Sequence, residues 1–134
     1  MTDDLKGTPV LVHPELTYDP AGKQNQIGTI SGADLMNDDV FVSFGYETAL
    51  YSTDALLMLL PQLEIYRHTN EMAFELALPD LKALTQIELL LRHGTAITHE
   101  TALQLARDNK NIQPFCLDTL QNQLQKNIDQ NYSR

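Results

Sequence analysis

The stretch 38-DDVFVSFGYETALYSTDALLMLL-60 decides how the chain is read. Val40, Val42 and Phe44 recur at a spacing of two, with Phe41 and Ser43 between them, which is the side-chain period of a strand with two different faces. Gly45 then opens a tight turn through Tyr46 and Glu47, where a residue without Cβ adopts backbone conformations closed to others. A second alternating run follows, so the segment reads as a β-hairpin. The apolar run 56–60 is hydrophobic on both faces, which suits a strand buried on both sides; a short helix capped by Thr53 or Asp54 is the alternative.

Working outward, strands are expected at 9–12, 26–31, 39–44, 48–52 and 56–60, separated by Gly, Pro, Asn and Asp. The segment HPELTYDPAGKQNQ, punctuated by Pro14, Pro20 and Gly22, is too long for a hairpin and reads as an ordered excursion. Gly28 is expected to mark a bend at a barrel corner. This order, running through IGTI, SGADLMND, DVFVSF, a tight turn, ALYS and STDALLML, resembles the Src-homology-3-like barrel family, including its KOW and Tudor-like modules, over residues 7–61. The resemblance implies a closed five-stranded barrel whose first loop and neighbouring loops line a ligand groove. The signalling members of that family bind proline-rich peptides on aromatic grooves that usually include tryptophan, and this chain has none.

The second half changes to a helical period. Thr69 is a candidate cap for a helix reaching about residue 78. Pro79 and Asp80 suit the start of the next, with Leu81, Leu84, Ile87, Leu90 and Leu91 on one face and Gly94 as its terminator. Thr98 is a candidate N-cap for a helix bearing Ala102, Leu103, Leu105 and Ala106, and the segment 109–114 breaks it. Leu117, Leu120, Leu124 and Ile128 define a last helix, with a frayed tail from Asp129. The expectation is an α+β chain: an N-terminal five-stranded Src-homology-3-like β-barrel in 1–61 and a bundle of three to four α-helices in 62–134, docked as one compact unit.

Charge divides the same way. Of the net −9, residues 1–63 hold −7, with Lys6 and Lys23 against nine acids. The remainder carries seven Lys/Arg against nine Asp/Glu. An acidic first half repels polyanions and attracts basic protein surfaces. No apolar run approaches the roughly 20 residues that span a bilayer, the start MTDDLKG lacks a secretory layout, and the lone Cys116 forms no internal disulfide. These features point to a cytoplasmic protein without membrane attachment.

Signatures of catalysis are missing. IGTISGAD lacks the G-x-S-x-G spacing of a nucleophile elbow, and Gly22–Lys23 lacks the rest of a phosphate-binding loop. His99–Glu100 begins like a zinc-protease helix, but Leu103 stands where the second histidine is required. Asp38 and Asp39 are adjacent on a strand and face opposite ways, which suits turn chemistry better than shared acid/base work. The helical hairpin around Gly94 resembles a helix-turn-helix, yet its second helix offers only Arg107 against Glu100 and Asp108. No catalytic residue, cofactor or metal site is therefore expected.

The remaining candidate is a contact surface of Glu15, Tyr18, Asp19, Asp38, Asp39, Tyr46 and Glu47, where tyrosines stand beside acids. The expected function is a non-enzymatic protein–protein interaction module, with an acidic barrel surface meeting a locally basic protein partner. Adaptor and inhibitor or immunity roles are equally compatible with this charge. The alternative is a nucleic-acid-binding KOW/Tudor-like module, against which the acidity of the first half argues.

Overall fold

The computed structural model describes residues 3–132, with side chains described for 4–126. The chain is α+β. Strands β1 (Pro9–Val12), β2 (Ile27–Asp34), β3 (Asp39–Ser43), β4 (Thr48–Tyr51) and β5 (Leu56–Leu59) come first. Helices α1 (Gln62–Glu71), α2 (Leu78–His93), α3 (Ala96–Arg107) and the single turn α4 (Gln113–Cys116) follow, then strand β6 (Leu117–Thr119) and helix α5 (Leu120–Tyr132). The apolar run at 56–60 is thus a strand, preceded by a 3-10 turn at Thr53–Ala55.

The strands form one sheet in the order β4-β3-β2-β1-β5-β6. The pairs β1–β2, β1–β5, β2–β3 and β3–β4 are antiparallel. This corrects the expected five-stranded closed barrel: the sheet is open, has six strands and ends at β4 on one side and β6 on the other. The sixth strand was concealed because Leu117 continues the helical spacing of Leu120 and Leu124, whereas the backbone extends over 117–119 before α5 begins. Ile128 lies outside the residues whose side chains are described.

The alternation in β3 has the expected outcome. Val40 and Val42 are fully buried, and with Val10, Val12, Ile30, Tyr51 and Leu56 they form the core on one face of the sheet. The hairpin closes where Phe44 donates its N–H to the Glu47 carbonyl at 2.8 Å, with Gly45 at φ +92°. Gly28 has a more specific role than a bend. A Cβ there would stand 2.5 Å from Val42 Cγ1 and 2.8 Å from Phe44 Cε1, so hydrogen is the only substituent that lets β2 lie under these side chains. The β2–β3 register shifts between Ile30 and Gly32, as it does at a β-bulge.

Two units are distinguished along the chain: residues 1–58 together with 118–134, and residues 59–117. The first contains the core just described, which Leu120 enters fully buried and Leu124 partly so. The last helix therefore belongs with the sheet, because its apolar stripe is packed there. In the second unit α2 keeps its expected face, with Leu84 and Ile87 buried and Gly94 capping it at φ +77°. Helix α1 begins just after Pro61, earlier than a cap at Thr69 implies; Thr69 lies inside it and donates its hydroxyl to the Ile65 carbonyl. Helix α3 begins one turn ahead of the expected cap. Thr95 is the N-cap, and Thr98 completes a reciprocal capping box from the third helical position.

Two substitutions test this packing. Gly28→Ala is expected to cost about 1–3 kcal/mol through overpacking, and Leu120→Ala about 2–5 kcal/mol through the cavity it leaves. Both are read from urea unfolding; a loss below about 0.5 kcal/mol for either would refute the corresponding contact.

Candidate functional site

The face of β2–β3–β4 opposite the core is the most distinctive surface of the first unit. Strand register places Asp34 across from Asp39, Phe41 across from Leu50, and Ser43 across from Thr48. Directly opposed residues of an antiparallel pair share a face. The surface thus runs from a pair of carboxylates, through an apolar pair, to two hydroxyls and then the exposed hairpin tip at Tyr46 and Glu47. Phe41 remains 42% exposed and Leu50 54% exposed, although both lie in the middle of their strands.

Asp34 and Asp39 are directly opposed across the β2–β3 ladder. Like charges directly opposite on adjacent strands work against the pairing, and Asn37 Nδ2 donates a hydrogen bond to Asp34 Oδ2 at 2.7 Å. A second carboxylate at this position is not required by the sheet, which is a reason to look for its use outside the fold.

The long first loop is fastened to the hairpin. Asp19 Oδ1 accepts the Ala21 N–H, and Oδ2 accepts both the Lys23 N–H at 2.9 Å and the Tyr51 hydroxyl at 2.8 Å. Lys23 in turn places its ammonium 2.6 Å from Glu47 Oε1 and 5.5 Å from the centre of the Phe44 ring. Phe44 meets Tyr51 edge to face with centroids 6.4 Å apart. Burial by itself disfavours the Asp19 carboxylate, but the N–H groups of Lys23, Ala21 and Gly22 and the Tyr51 hydroxyl outweigh it and hold its pKa below the usual range. Burial, joined by the same contact with Asp19, pushes the Tyr51 phenol upward, so Tyr51 stays protonated and donating.

The seven candidate residues are therefore not equivalent. Asp19 and Asp38 both serve the fold: Asp38 has a left-handed backbone at φ +55°, and its Oδ1 accepts the Thr53 N–H at 2.9 Å and the Thr53 hydroxyl at 2.7 Å. Glu47 is exposed but salt-bridged to Lys23. Tyr18, Tyr46 and Glu15 are exposed, with the Glu15 N–H donated to His13 Nδ1. Asp39 lies at one end of β3 and Tyr46 and Glu47 beyond the other, separated by the full strand, about 13 Å at 3.3 Å per residue. Phe41 and Leu50 join these ends. The strand period already put Phe41 on the outer face, but its exposed neighbour Leu50 required the register.

In the second unit, a cleft of about 260 Å³ lies between α1 and α2, lined by Tyr66, Thr69, Asn70, Thr85, Glu88, Leu89 and Arg92. Glu88 is only 4% exposed, and its Oε1 accepts from Gln62 Nε2 at 2.7 Å and Arg92 Nε at 2.9 Å. The Arg92 guanidinium also stands 5.7 Å from the Tyr66 ring centre. This buried carboxylate is paired and hydrogen-bonded, as a charge in the interior requires, and it ties α1 to α2. Cys116 is buried, and burial pushes its thiol up to about 12, far from a nucleophilic thiolate at neutral pH. Among the described residues no group of three or more His, Cys, Asp or Glu is placed to hold a metal ion, and no helix is long and apolar enough to cross a membrane.

The loop network generates a pH prediction. Asp19 has a folded pKa below its unfolded value of about 3.9. Its hydrogen bonds therefore contribute stability that is fully present above that value and lost as pH falls through it towards the folded pKa. Asp19→Asn removes this titration, so urea midpoints measured from pH 7 down to about 2.5 should fall less steeply in the variant than in the native chain; parallel curves would show that Asp19 does not hold the loop. In comparisons with protein-family models, curated proteins and solved structures, the chain found no match.

Proposed function

We propose that the chain is a non-enzymatic protein-interaction module whose first unit presents the outer face of β2–β3–β4 to a locally basic protein partner. The observation that carries this reading is the juxtaposition of Asp34 and Asp39 with the exposed pair Phe41 and Leu50 on one side of the sheet. A basic segment would neutralise the opposed carboxylates and cover the apolar pair, the mixture of charge steering and desolvation found at protein interfaces. From residue 24 to residue 66 the chain contains no Lys, Arg or His, so a polyphosphate backbone meets no counter-charge here and the nucleic-acid alternative is disfavoured.

The kinship with Src-homology-3-like modules remains part of the proposal. It is supported by the strand order β4-β3-β2-β1-β5, the long excursion between β1 and β2, the tight β3–β4 hairpin and the 3-10 turn before β5. The sixth strand and the open edge are departures from that pattern.

Stability and binding should move in opposite directions at Asp39. Asp39→Lys replaces a repulsive cross-strand pair with an attractive one and is expected to stabilise the fold by about 0.2–1 kcal/mol. The same substitution should reduce recovery of a partner when the tagged chain is purified from its own host cells with nuclease present. A stoichiometric protein that survives nuclease treatment and is lost with Asp39→Lys is the expected result. Recovery of nucleic acid, or a partner indifferent to Asp39, would overturn the reading.

A further inference from the structure

We infer that the open edge of β4 takes up an extended basic segment of a partner protein as an additional strand. This rests on the interaction reading above and specifies how the partner is held.

Strand β4 is last in the sheet order and, among the described residues, pairs only with β3. The Phe44–Glu47 hydrogen bond fixes the phase of the ladder. Alternation then makes Val42/Ala49 and Val40/Tyr51 the hydrogen-bonded pairs, and Thr48 and Leu50 direct their N–H and C=O away from β3. No described segment outside the strand ladders bonds these groups. Sheet edges are commonly guarded by Lys, Pro, bulges or inward charges. The sequence TALY contains no Lys or Pro and no charged residue, and its Leu50 is exposed beside Phe41.

The occupant follows from charge and period. A second copy of this chain would bring a like-charged sheet, −7 over residues 1–63, against this one. A basic strand would be attracted instead. Its side chains alternate faces, so those on the outer face lie two residues apart. One placed opposite Leu50 meets the apolar pair; the next, opposite Ser52, lies towards Asp39. The segment recognised is therefore extended, carrying an apolar residue two positions from Lys or Arg, with backbone hydrogen bonds providing affinity and these side chains the selectivity.

The test uses the full chain and a labelled eight-residue peptide of repeating Val-Thr-Lys-Thr, which puts Val and Lys two positions apart on one face, with a second peptide N-methylated on alternate residues so that one edge cannot hydrogen-bond. Binding is followed by fluorescence anisotropy at low salt, and amide hydrogen exchange is followed by NMR. The native chain should bind the first peptide, with exchange at Thr48 and Leu50 slowed at least about tenfold, as newly formed hydrogen bonds demand. Leu50→Pro removes the outward-pointing donor together with the Leu50 side chain and should weaken binding at least about tenfold, well beyond Leu50→Ala, which keeps the donor; N-methylation of the peptide should do the same without altering the protein. Binding that is insensitive to both changes, with Thr48 and Leu50 unprotected, would overturn edge addition while leaving an acidic contact surface standing. No binding of the unmodified peptide by the native chain would overturn edge addition, and if Asp39→Lys also fails to alter partner recovery, the broader reading falls with it.

Discussion

Successive side chains on a strand must point to opposite faces, and β3 has no latitude in how it meets that constraint. Val40 and Val42 are sealed in the core, so Asp39, Phe41 and Ser43 are turned to the other side. A shift by one residue would bury Asp39 and expose both valines. Gly28 makes the correct placement possible by letting Val42 and Phe44 settle against β2. The outer face, the hairpin tip and the phase of the β4 edge are consequences of that single choice of register.

The first loop depends on the same hairpin. Tyr51, inward on β4, reaches Asp19, while Lys23 reaches back to Glu47 at the turn. The excursion between β1 and β2 is thereby held against β3–β4 by one buried-side hydrogen bond and one exposed ion pair. The first of these is the stronger tie, because exposed ion pairs are screened and contribute little.

Much of the strand pattern was legible because period two is a local property, and Val40, Val42 and Gly45 declare it within six residues. The open sheet was not, since the sixth strand is three residues long and its Leu117 fits the helical spacing that follows. Helix starts were displaced for a related reason: Thr98 has the chemistry of a cap, but Thr95 has it too, and the reciprocal pair needs both. The roles of Asp19 and Asp38 were hidden by distance along the chain. Their partners, Tyr51 and Thr53, lie 32 and 15 residues away, and nothing near either acid announces them. Phe41 was legible as an outward side chain, whereas its pairing with Leu50 emerged only from the register.

The return of the chain to the first unit at Asp118 has a bearing on synthesis. Residues 59–117 begin and end side by side, with the Leu60 N–H donated to the Cys116 carbonyl at 2.8 Å, so this unit is arranged as an insertion whose termini meet. The sheet unit, in contrast, is split: β1 to β4 are made before residues 59–117, yet Leu120, fully buried in its core, is made after them. A nascent chain can close its inserted unit while the unit that flanks it in sequence still exposes the floor on which α5 will lie.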